Sequence, residues 1–237
     1  MGVKLSRKKP KQFLVSSIYR LQKLLPLSSA VKLKLFLNLE WIFDRLSHEM
    51  SFKVFNTESH PLRIHSKKFI LEGISNEDTV LDLGCNFGVL SYAAAFKAKE
   101  VVGVDVIPTV IEEAKKRYPK ENLEFIVGEA REYLNTTKKT FNVLLLSHVL
   151  EHIDDPKNFI MSFKHYFKKI FVEVPDFDKN YLNHYRQSTD NKLIYTDDDH
   201  VSEFDRDELT ALLKDCGLEI LTADYRFGVI KLWCKTV

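Results

Sequence analysis

The hydrophobic pattern changes its period part-way along the 237-residue chain. In the first fifty residues, apolar positions recur at every third or fourth residue, which predicts amphipathic helices. The first predicted helix carries Phe13, Leu14, Ile18, Leu21, Leu24 and Leu25, and the second carries Val31, Leu35, Leu39, Ile42, Phe43 and Leu46. Pro26 and the serines at 28 and 29 separate the two helices.

From residue 79 onward, apolar residues gather into short β-branched or leucine-rich runs that are typical of buried strands. Five such runs begin at Val80, Val101, Leu123, Phe141 and Ile170, with helical or polar stretches between them. Strands that alternate with helices in this way predict right-handed crossovers and a parallel sheet covered on both faces.

The C-terminal tail departs from that alternation. It predicts a helix over about 205–215 with Gly217 as its C-cap, and then two strands over 218–225 and 229–235. We therefore expect an α/β fold built on a doubly wound, seven-stranded sheet, mostly parallel and ending in an antiparallel hairpin. This domain is expected over residues 61–237, after a helical extension over residues 1–60.

A glycine loop follows the first predicted strand, where residues 80–88 have the sequence VLDLGCNFG. Gly84 and Gly88 permit unusual backbone angles and close approach of a ligand, and the next helix points its N-terminal amides at the loop. The spacing is not GxGxxG, and Asp82 precedes the first glycine by two residues. A carboxylate there would disfavour a pyrophosphate but would favour the ammonium and sulfonium groups of S-adenosylmethionine.

Acidic residues also end the second and third predicted strands. Asp105 lies about 20 residues beyond the glycine loop, where a carboxylate can accept both hydrogen bonds of a ribose diol. Val106 and Ile107 would then flank an adenine, and Glu129, followed by Ala130, would accept a hydrogen bond from its exocyclic amine.

Together these segments resemble the class I S-adenosylmethionine-dependent methyltransferases. VLDLGCNFG, VVGVDV, VGEA and LSHVLEHIDDP look like the successive motifs of the family, in the branch that holds ubiquinone-type O-methyltransferases and small-molecule or glycan methyltransferases. The resemblance covers about residues 62–235. Asn86 replaces the middle glycine, and the usual Gly-Gly before the fifth strand is absent.

The resemblance implies a Rossmann-like fold, with S-adenosylmethionine as cofactor and S-adenosylhomocysteine as product. Arg63, upstream of the first strand, would pair with the cofactor carboxylate. The residues expected to hold the cofactor are Asp82, Gly84, Cys85, Asn86, Gly88, Asp105, Val106, Ile107, Glu129, Ala130, Ser147, His148 and Arg63.

The family resemblance places catalysis just after the fourth strand, at residues 147–152. His148 is the first candidate for a general base, because a neutral imidazole can take the proton of an attacking hydroxyl; otherwise it lines the cofactor pocket. His152 and His200 are further catalytic candidates, although Glu151 and His152 could instead orient the loop. A metal held by these three histidines and Glu151 is an alternative. We expect no metal, because the leading Glu of the related Glu-x-x-Glu-His pattern is absent.

The segment over 176–204 is long for a connection and rich in Tyr, Asp, Asn and His. It leaves the carboxyl edge of the predicted sheet, where ligands bind in such folds. We therefore expect it to bind the methyl acceptor through Tyr181, His184, Tyr185, Arg186 and Tyr195.

Composition adds an asymmetry of charge. Residues 1–70 hold 14 of the 35 Lys and Arg but only 4 of the 33 Asp and Glu. No apolar run reaches the length of a membrane span, no signal peptide is evident, and Cys85, Cys216 and Cys234 lie far apart. We expect a soluble cytoplasmic protein. Its basic helices either pack on the body or a second subunit, or lie peripherally on the inner face of a membrane.

Three functions follow from these features. The leading one is O-methylation of a small polar or glycan acceptor, which could be lipid-linked. The second is methylation of RNA such as tRNA, with the basic N-terminus binding phosphates, although no recognisable RNA-binding module is present. The third is an inactive interaction module with the cofactor fold. Intact Asp82, Gly84, Gly88, Asp105 and Glu129 argue against it.

Overall fold

A computed structural model describes residues 13–195 and 197–237. The basic segment over 4–11 lies outside these residues. The strands are β1 (Thr79–Leu83), β2 (Glu100–Asp105), β3 (Leu123–Val127), β4 (Val143–Ser147), β5 (Lys169–Pro175), β6 (Leu218–Asp224) and β7 (Val229–Thr236). The helices are α1 (Phe13–Leu24), α2 (Ser29–Val54), α3 (Pro61–Gly73), α4 (Val89–Ala94), α5 (Pro108–Arg117), α6 (Ala130–Thr136), α7 (Pro156–Phe163), α8 (Leu182–Ser188) and α9 (Arg206–Asp215).

The seven strands form one sheet in the order β3-β2-β1-β4-β5-β7-β6. The first five are parallel, whereas β7 runs antiparallel to both β5 and β6. The fold class and the terminal hairpin predicted from the sequence are thereby confirmed. Because the strand order reverses between β1 and β4, a ligand crevice is expected outside their carboxyl ends.

The core lies on both faces of the sheet. One cluster packs β-strand residues such as Leu144 and Val172 against α7 and α9, and the other packs Val80, Leu145 and Phe171 against α3. Strands that are buried on both faces explain the nearly continuous apolar runs in their sequences. Gly217, with φ of +70°, follows α9 as predicted, in the left-handed region that favours glycine.

The N-terminal helices are less buried than the sheet. Ser28 caps α2 by accepting a hydrogen bond from the amide of Val31, and α2 then runs for 26 residues. Only Leu37 of α2 is fully buried, and no residue of α1 is buried. The predicted helices are present. The structure shows α2 bonded to the body through Arg186, whereas no residue of α1 is buried. Packing on a second subunit and contact with a membrane both stay predictions.

Two helices were not predicted. The buried side of α3 mixes Ser66 with Leu62, Phe69 and Ile70, which weakens its apolar pattern. In α8 the buried side chains are Asn183 and Arg186, so no hydrophobic periodicity marks a helix within the segment 176–204. No helix in the described ranges has the length and apolarity that crossing a membrane requires.

Candidate active site

The loop between β1 and α4 bends through three residues with positive φ. These are Gly84 at +70°, Asn86 at +49° and Gly88 at +76°. A β-carbon on Gly88 would lie 2.4 Å from the Phe125 ring, so both the backbone angle and the space require glycine. Asn tolerates this region better than most residues, which explains its place at the middle position.

Asp82 lies buried beneath this loop, with 2% of its surface exposed. Its carboxylate accepts a hydrogen bond from the Ser91 hydroxyl. Burial raises the pKa of Asp82 to about 7, and the hydrogen bonds from Ser91 lower it by less than burial raises it. The site therefore contains an acid that would gain from a cation beside it.

Asp105 ties the end of β2 to the glycine loop. Its carboxylate accepts hydrogen bonds from the amides of Asn86, at 2.9 Å, and Ile107, at 3.0 Å. The side chains of Val106 and Ile107 are exposed. Glu129 uses one carboxylate oxygen to cap α6, accepting from the amides of Arg131 and Glu132. This edge of the sheet is open to solvent.

A first cavity of about 360 Å³ lies beside the loop. Seven of the residues predicted to hold the cofactor line it: Arg63, Asp82, Gly84, Cys85, Asn86, Ser147 and His148. The other six, Gly88, Asp105, Val106, Ile107, Glu129 and Ala130, are not in its lining and follow the loop and the edge formed by β2 and β3. The cavity is further lined by α2 and α3 through Phe52 and Leu62.

His148 follows β4 in a left-handed conformation, with φ of +54°. Its Nδ1 lies 3.0 Å from Oε1 of Glu151, and its Nε2 lies 3.5 Å from Oε1 of Glu173. Burial lowers the pKa of His148, but the hydrogen bonds and charges of the two glutamates outweigh burial and raise the pKa to about 10. Both ring nitrogens face carboxylates, and the raised pKa favours the imidazolium form of His148 over the neutral form that a general base requires. The catalytic role of His148 stays a prediction.

Glu173 is the site residue that the sequence analysis missed. It lies on β5, 3% exposed, and its Oε1 accepts a hydrogen bond from the Ser147 hydroxyl at 3.0 Å. Its Oε2 is buried without a hydrogen-bond partner. Burial raises the pKa of Glu173, but His148 more than offsets this and holds it low. A lone acid within the apolar run IFVEV was the signal that could have revealed it.

A second cavity of about 230 Å³ adjoins the first, and both are lined by Phe52, Leu62 and His148. Its remaining lining comes from α2, from the end of β5, from the segment 176–204, and from the start of β7 with the turn before it. These residues are Trp41, Asp44, Arg45, His48, Glu49, Pro175, Lys179, Asp197, His200, Phe227, Gly228 and Val229. His148 therefore stands where two differently built cavities meet.

Comparison with known families decides the identity of this fold. Residues 55–223 match the family model described as a methyltransferase domain, which is more than two thirds of the chain. The chain belongs to this family. The resemblance to class I S-adenosylmethionine-dependent methyltransferases is confirmed.

Individual relatives match less of the chain than the family model does. The ubiquinone biosynthesis O-methyltransferase of Nitrosomonas europaea is 31% identical over 114 residues, which are 44% of this chain and 45% of that protein. An uncharacterized RNA methyltransferase of Oceanobacillus iheyensis is 34% identical over 79 residues, or 32% and 17% of the two chains. The chain spans less than half the length of these curated relatives.

Solved structures agree on the fold. The magnesium protoporphyrin IX methyltransferase of Synechocystis, solved with bound S-adenosylhomocysteine, superposes with a TM-score of 0.56 and 16% identity. The match covers 82% of this chain and 94% of that one. At such low identity the comparison supports the architecture and not the acceptor.

The residues of this site fit a cationic nucleoside cofactor. Gly88 has no room for a β-carbon, buried Asp82 would gain from a positive group, and Asp105 presents its carboxylate at the end of β2. The glycine loop, Asp82 and the end of β2 at Asp105 all lie at one edge of the sheet, beside the first cavity.

The residues predicted to bind the acceptor are not brought to either cavity. Tyr181, Tyr185 and Tyr195 are 66%, 49% and 44% exposed on the surface, and His184 bonds to Asp178. None of these is in the described lining of the two cavities.

Arg186, the fifth predicted acceptor residue, is corrected to a structural role. It is 1% exposed, and its guanidinium donates to Glu40, to the Leu37 carbonyl and to the side chain of Asn183. Its charge therefore joins α8 to α2 rather than meeting a ligand.

Of the two other catalytic candidates, His200 lines the second cavity and His152 is not in its described lining. His200 packs edge-to-face on His152, with ring centroids 4.8 Å apart. His152 also contacts the Asp199 carbonyl through Nδ1 at 3.2 Å. Ligand atoms of Glu151, His152 and His200 lie within 4.8 Å of one another. The metal alternative also required His148, which is not part of this group.

Proposed function

We propose that this chain transfers a methyl group from S-adenosylmethionine to a hydroxyl oxygen of a small polar acceptor, a phenol or a sugar. The observation that carries the proposal is the junction of the two cavities at His148, beside the buried carboxylate of Glu173. A donor in the first cavity and an acceptor in the second would meet there.

The cofactor is assigned to the first cavity and the neighbouring strand edge. Asp105 would accept hydrogen bonds from the ribose hydroxyls, and the exposed Val106 and Ile107 would pack on the adenine. Asp82 would face the ammonium group, and Arg63, which lines the cavity, would pair with the carboxylate.

When bound, the cofactor supplies an electrophilic methyl group on a sulfonium that leaves as a neutral thioether. The chain's part is to align the acceptor oxygen and to exclude water. The oxygen gains the methyl group and loses its proton, which passes to the carboxylate of Glu173 in the lining of the first cavity. His148, an imidazolium between Glu151 and Glu173, keeps that carboxylate deprotonated and oriented.

The lining of the second cavity supports a ring-shaped, hydroxyl-bearing acceptor. Trp41, Phe52 and Phe227 offer aromatic faces, while Asp44 and Glu49 can accept hydrogen bonds from hydroxyl groups. The ubiquinone O-methyltransferases, which share up to 34% identity with part of this chain, act on oxygen by name.

Transfer of radiolabelled methyl from S-adenosylmethionine to a panel of catechols, monosaccharides and bulk tRNA tests the proposal. We expect label in a small hydroxylic acceptor. The variant Glu173→Gln should lower the rate by about 100-fold or more, as for loss of a general base, while S-adenosylhomocysteine still binds. Glu132→Gln, an exposed change, should leave the rate unaltered.

Two outcomes would contradict the proposal. Label in tRNA and in none of the small acceptors would replace it with RNA methylation. Full activity in Glu173→Gln would remove the assigned proton acceptor while leaving the cofactor assignment intact.

A further inference from the structure

Helix α1 exposes an apolar stripe that nothing in the described chain covers. Leu14, Ile18 and Leu21 recur at intervals of four and three residues, so they share one side of α1, and Leu25 follows directly after the helix. They are 72%, 55%, 61% and 41% exposed. Lys23 lies on the opposite side, which makes the helix amphipathic with its apolar side facing solvent.

The stripe continues on α2. Val31, Leu35, Leu39, Ile42 and Leu46 again share one side, and they are between 39% and 50% exposed. Single exposed apolar residues are common, but two consecutive helices that each carry an exposed apolar stripe mark a binding surface.

The charge around the N-terminal part of this surface is of one sign, and the acidic residues Glu40, Asp44 and Glu49 come only after it on α2. Residues 1–39 contain nine Lys and Arg and no Asp or Glu. Arg20, Lys23, Lys32 and Lys34 lie on the described helices. A second copy of the chain would bring eighteen like charges together, whereas an anionic surface would neutralise them.

We propose that α1 and the first half of α2 bind the surface of an anionic lipid bilayer, with the apolar stripe among the acyl chains and the cations at the headgroups. Helices of this kind lie in the interfacial plane and draw affinity from both apolar burial and charge. This goes beyond the assigned chemistry, because it concerns where the enzyme works.

The geometry of α2 connects this surface to the second cavity. Trp41, Arg45, His48 and Phe52 line that cavity and share one side of the helix, next to the exposed stripe. Binding of the stripe to a bilayer therefore places the second cavity beside the headgroup layer, where an acceptor carrying a lipid tail would present its polar end.

Co-sedimentation of the full chain with vesicles tests the surface. Vesicles of equal parts phosphatidylglycerol and phosphatidylcholine should bind at least about tenfold better than pure phosphatidylcholine. Raising the salt from about 0.1 M to about 0.5 M should weaken that binding, because the Debye length falls from about 10 Å to about 4 Å. Binding that is equal for both vesicle types would overturn the proposal.

Matched variants separate the stripe from general hydrophobicity. The triple change Leu14→Ser, Ile18→Ser and Leu21→Ser should lower partitioning by about 100-fold or more, because three large apolar side chains no longer enter the membrane. The control changes Phe96, Met161 and Leu221, which are also exposed but lie on the body, to Ser. The control should bind vesicles as the parent does.

A second pair of variants isolates the charge. Changing Arg20, Lys23 and Lys34 to Gln should weaken binding by about 100-fold, at about fivefold per charge. The control changes Lys115, Lys116 and Lys138, which are exposed on the body, to Gln. Equal losses in both sets would show a diffuse charge effect and would contradict an N-terminal binding surface.

Sedimentation velocity of the same proteins tests whether a second copy of the chain, and not a membrane, covers the stripe. If the stripe variant converts a dimer to a monomer and still binds vesicles as the parent does, the stripe is a subunit interface and the membrane proposal fails. Retained binding of S-adenosylhomocysteine shows that each variant is folded. Since vesicle binding involves no methyl transfer, its failure would leave the proposed function standing.

Discussion

The two cavities that meet at His148 are built in different ways. The first rests on the sheet, and its defining contacts are local: Ser91 bonds to Asp82 nine residues away, and the Asn86 amide bonds to Asp105 across 19 residues. The second is walled by α2 against the segment 176–204, through contacts such as Lys179 with Asp44 that span 135 residues.

The difference in construction implies a difference in rigidity. Backbone angles and buried strands fix the first cavity. The wall of the second is attached mainly by polar bridges, because α2 fully buries only Leu37. Regions with few buried apolar contacts open locally at lower free energy than the core, so we expect α2 to separate from the body before the sheet unfolds.

The largest expected effect tests the rigidity of the first cavity. Gly88→Ala forces a β-carbon to 2.4 Å from the Phe125 ring at a φ of +76°. Left-handed strain and overpacking together should lower the free energy of unfolding by about 3 kcal/mol. Urea denaturation measures the loss, and calorimetry should show weakened binding of S-adenosylhomocysteine.

The chain offers a matched control in Gly128. A β-carbon there would have no heavy atom within 4 Å, and its φ is not positive. Gly128→Ala should change the free energy of unfolding by less than about 0.5 kcal/mol. Equal losses for the two variants would mean that the glycine loop is not the constrained element described above.

The same contrast explains how far sequence reasoning reached. The fold could be predicted because buried parallel strands leave continuous apolar runs, and the glycine loop because positive φ requires glycine at fixed spacing. Asp82 and Asp105 followed from their places at strand ends. The glycine loop and both acids lie within residues 80–105, so one short stretch of sequence shows them together.

The second cavity could not be predicted in this way. Trp41, Arg45 and His48 occur on an ordinary amphipathic helix, and nothing in that pattern says which side faces the body. Arg186 was assigned to the acceptor because it stands in a long polar segment; only its partner Glu40, 146 residues away, shows that it is structural. Likewise the sequence does not show that Glu173, on another strand, lies 3.5 Å from Nε2 of His148.

The second prediction tests how α2, the wall of the second cavity, is attached to the body. Arg186→Met removes the buried cation that holds Glu40 and the Leu37 carbonyl. We expect the docking of α2 to weaken by about 2 kcal/mol, less than for a fully enclosed pair because Glu40 reaches solvent. Hydrogen exchange should rise across α2 and not in β1 or β4.

Arg226→Met is the control for that change, since its guanidinium pairs with Asp224 while 68% exposed. It should leave exchange in α2 unaltered. If Arg186→Met instead lowers protection uniformly over the sheet, the wall and the sheet unfold together, and the proposed difference between the two cavities is wrong.

The third prediction concerns the pH dependence of cofactor binding. Because burial raises the pKa of Asp82 to about 7, its carboxyl becomes neutral as the pH falls below that value. A cationic ammonium then loses its partner, so the affinity for S-adenosylhomocysteine should fall by up to about tenfold per pH unit below 7 and level off above it. Calorimetry from pH 5.5 to about 8.5 measures the slope.

Asp82→Asn should abolish that slope while keeping the side-chain volume. Calorimetry in buffers of different ionisation enthalpy should detect release of a proton when the parent binds its ligand at pH 6, and none for the variant. A slope that survives in Asp82→Asn would assign the titration to another group and would separate Asp82 from the cation.

The smallest expected effect comes from the exposed bridge between Lys179 and Asp44, 3.0 Å long, which joins the rim of the second cavity to α2. Exposed pairs contribute about 0–1 kcal/mol, so Lys179→Gln should barely alter exchange in α2 and should leave S-adenosylhomocysteine binding unchanged. Both residues line the second cavity, however, so the KM for the acceptor should change more than the stability does.

A large loss of hydrogen-exchange protection in α2 of Lys179→Gln would contradict this prediction. It would show that α2 is attached mainly through the exposed bridge and not through buried Arg186. An equal change in cofactor affinity would show that the two cavities respond as one.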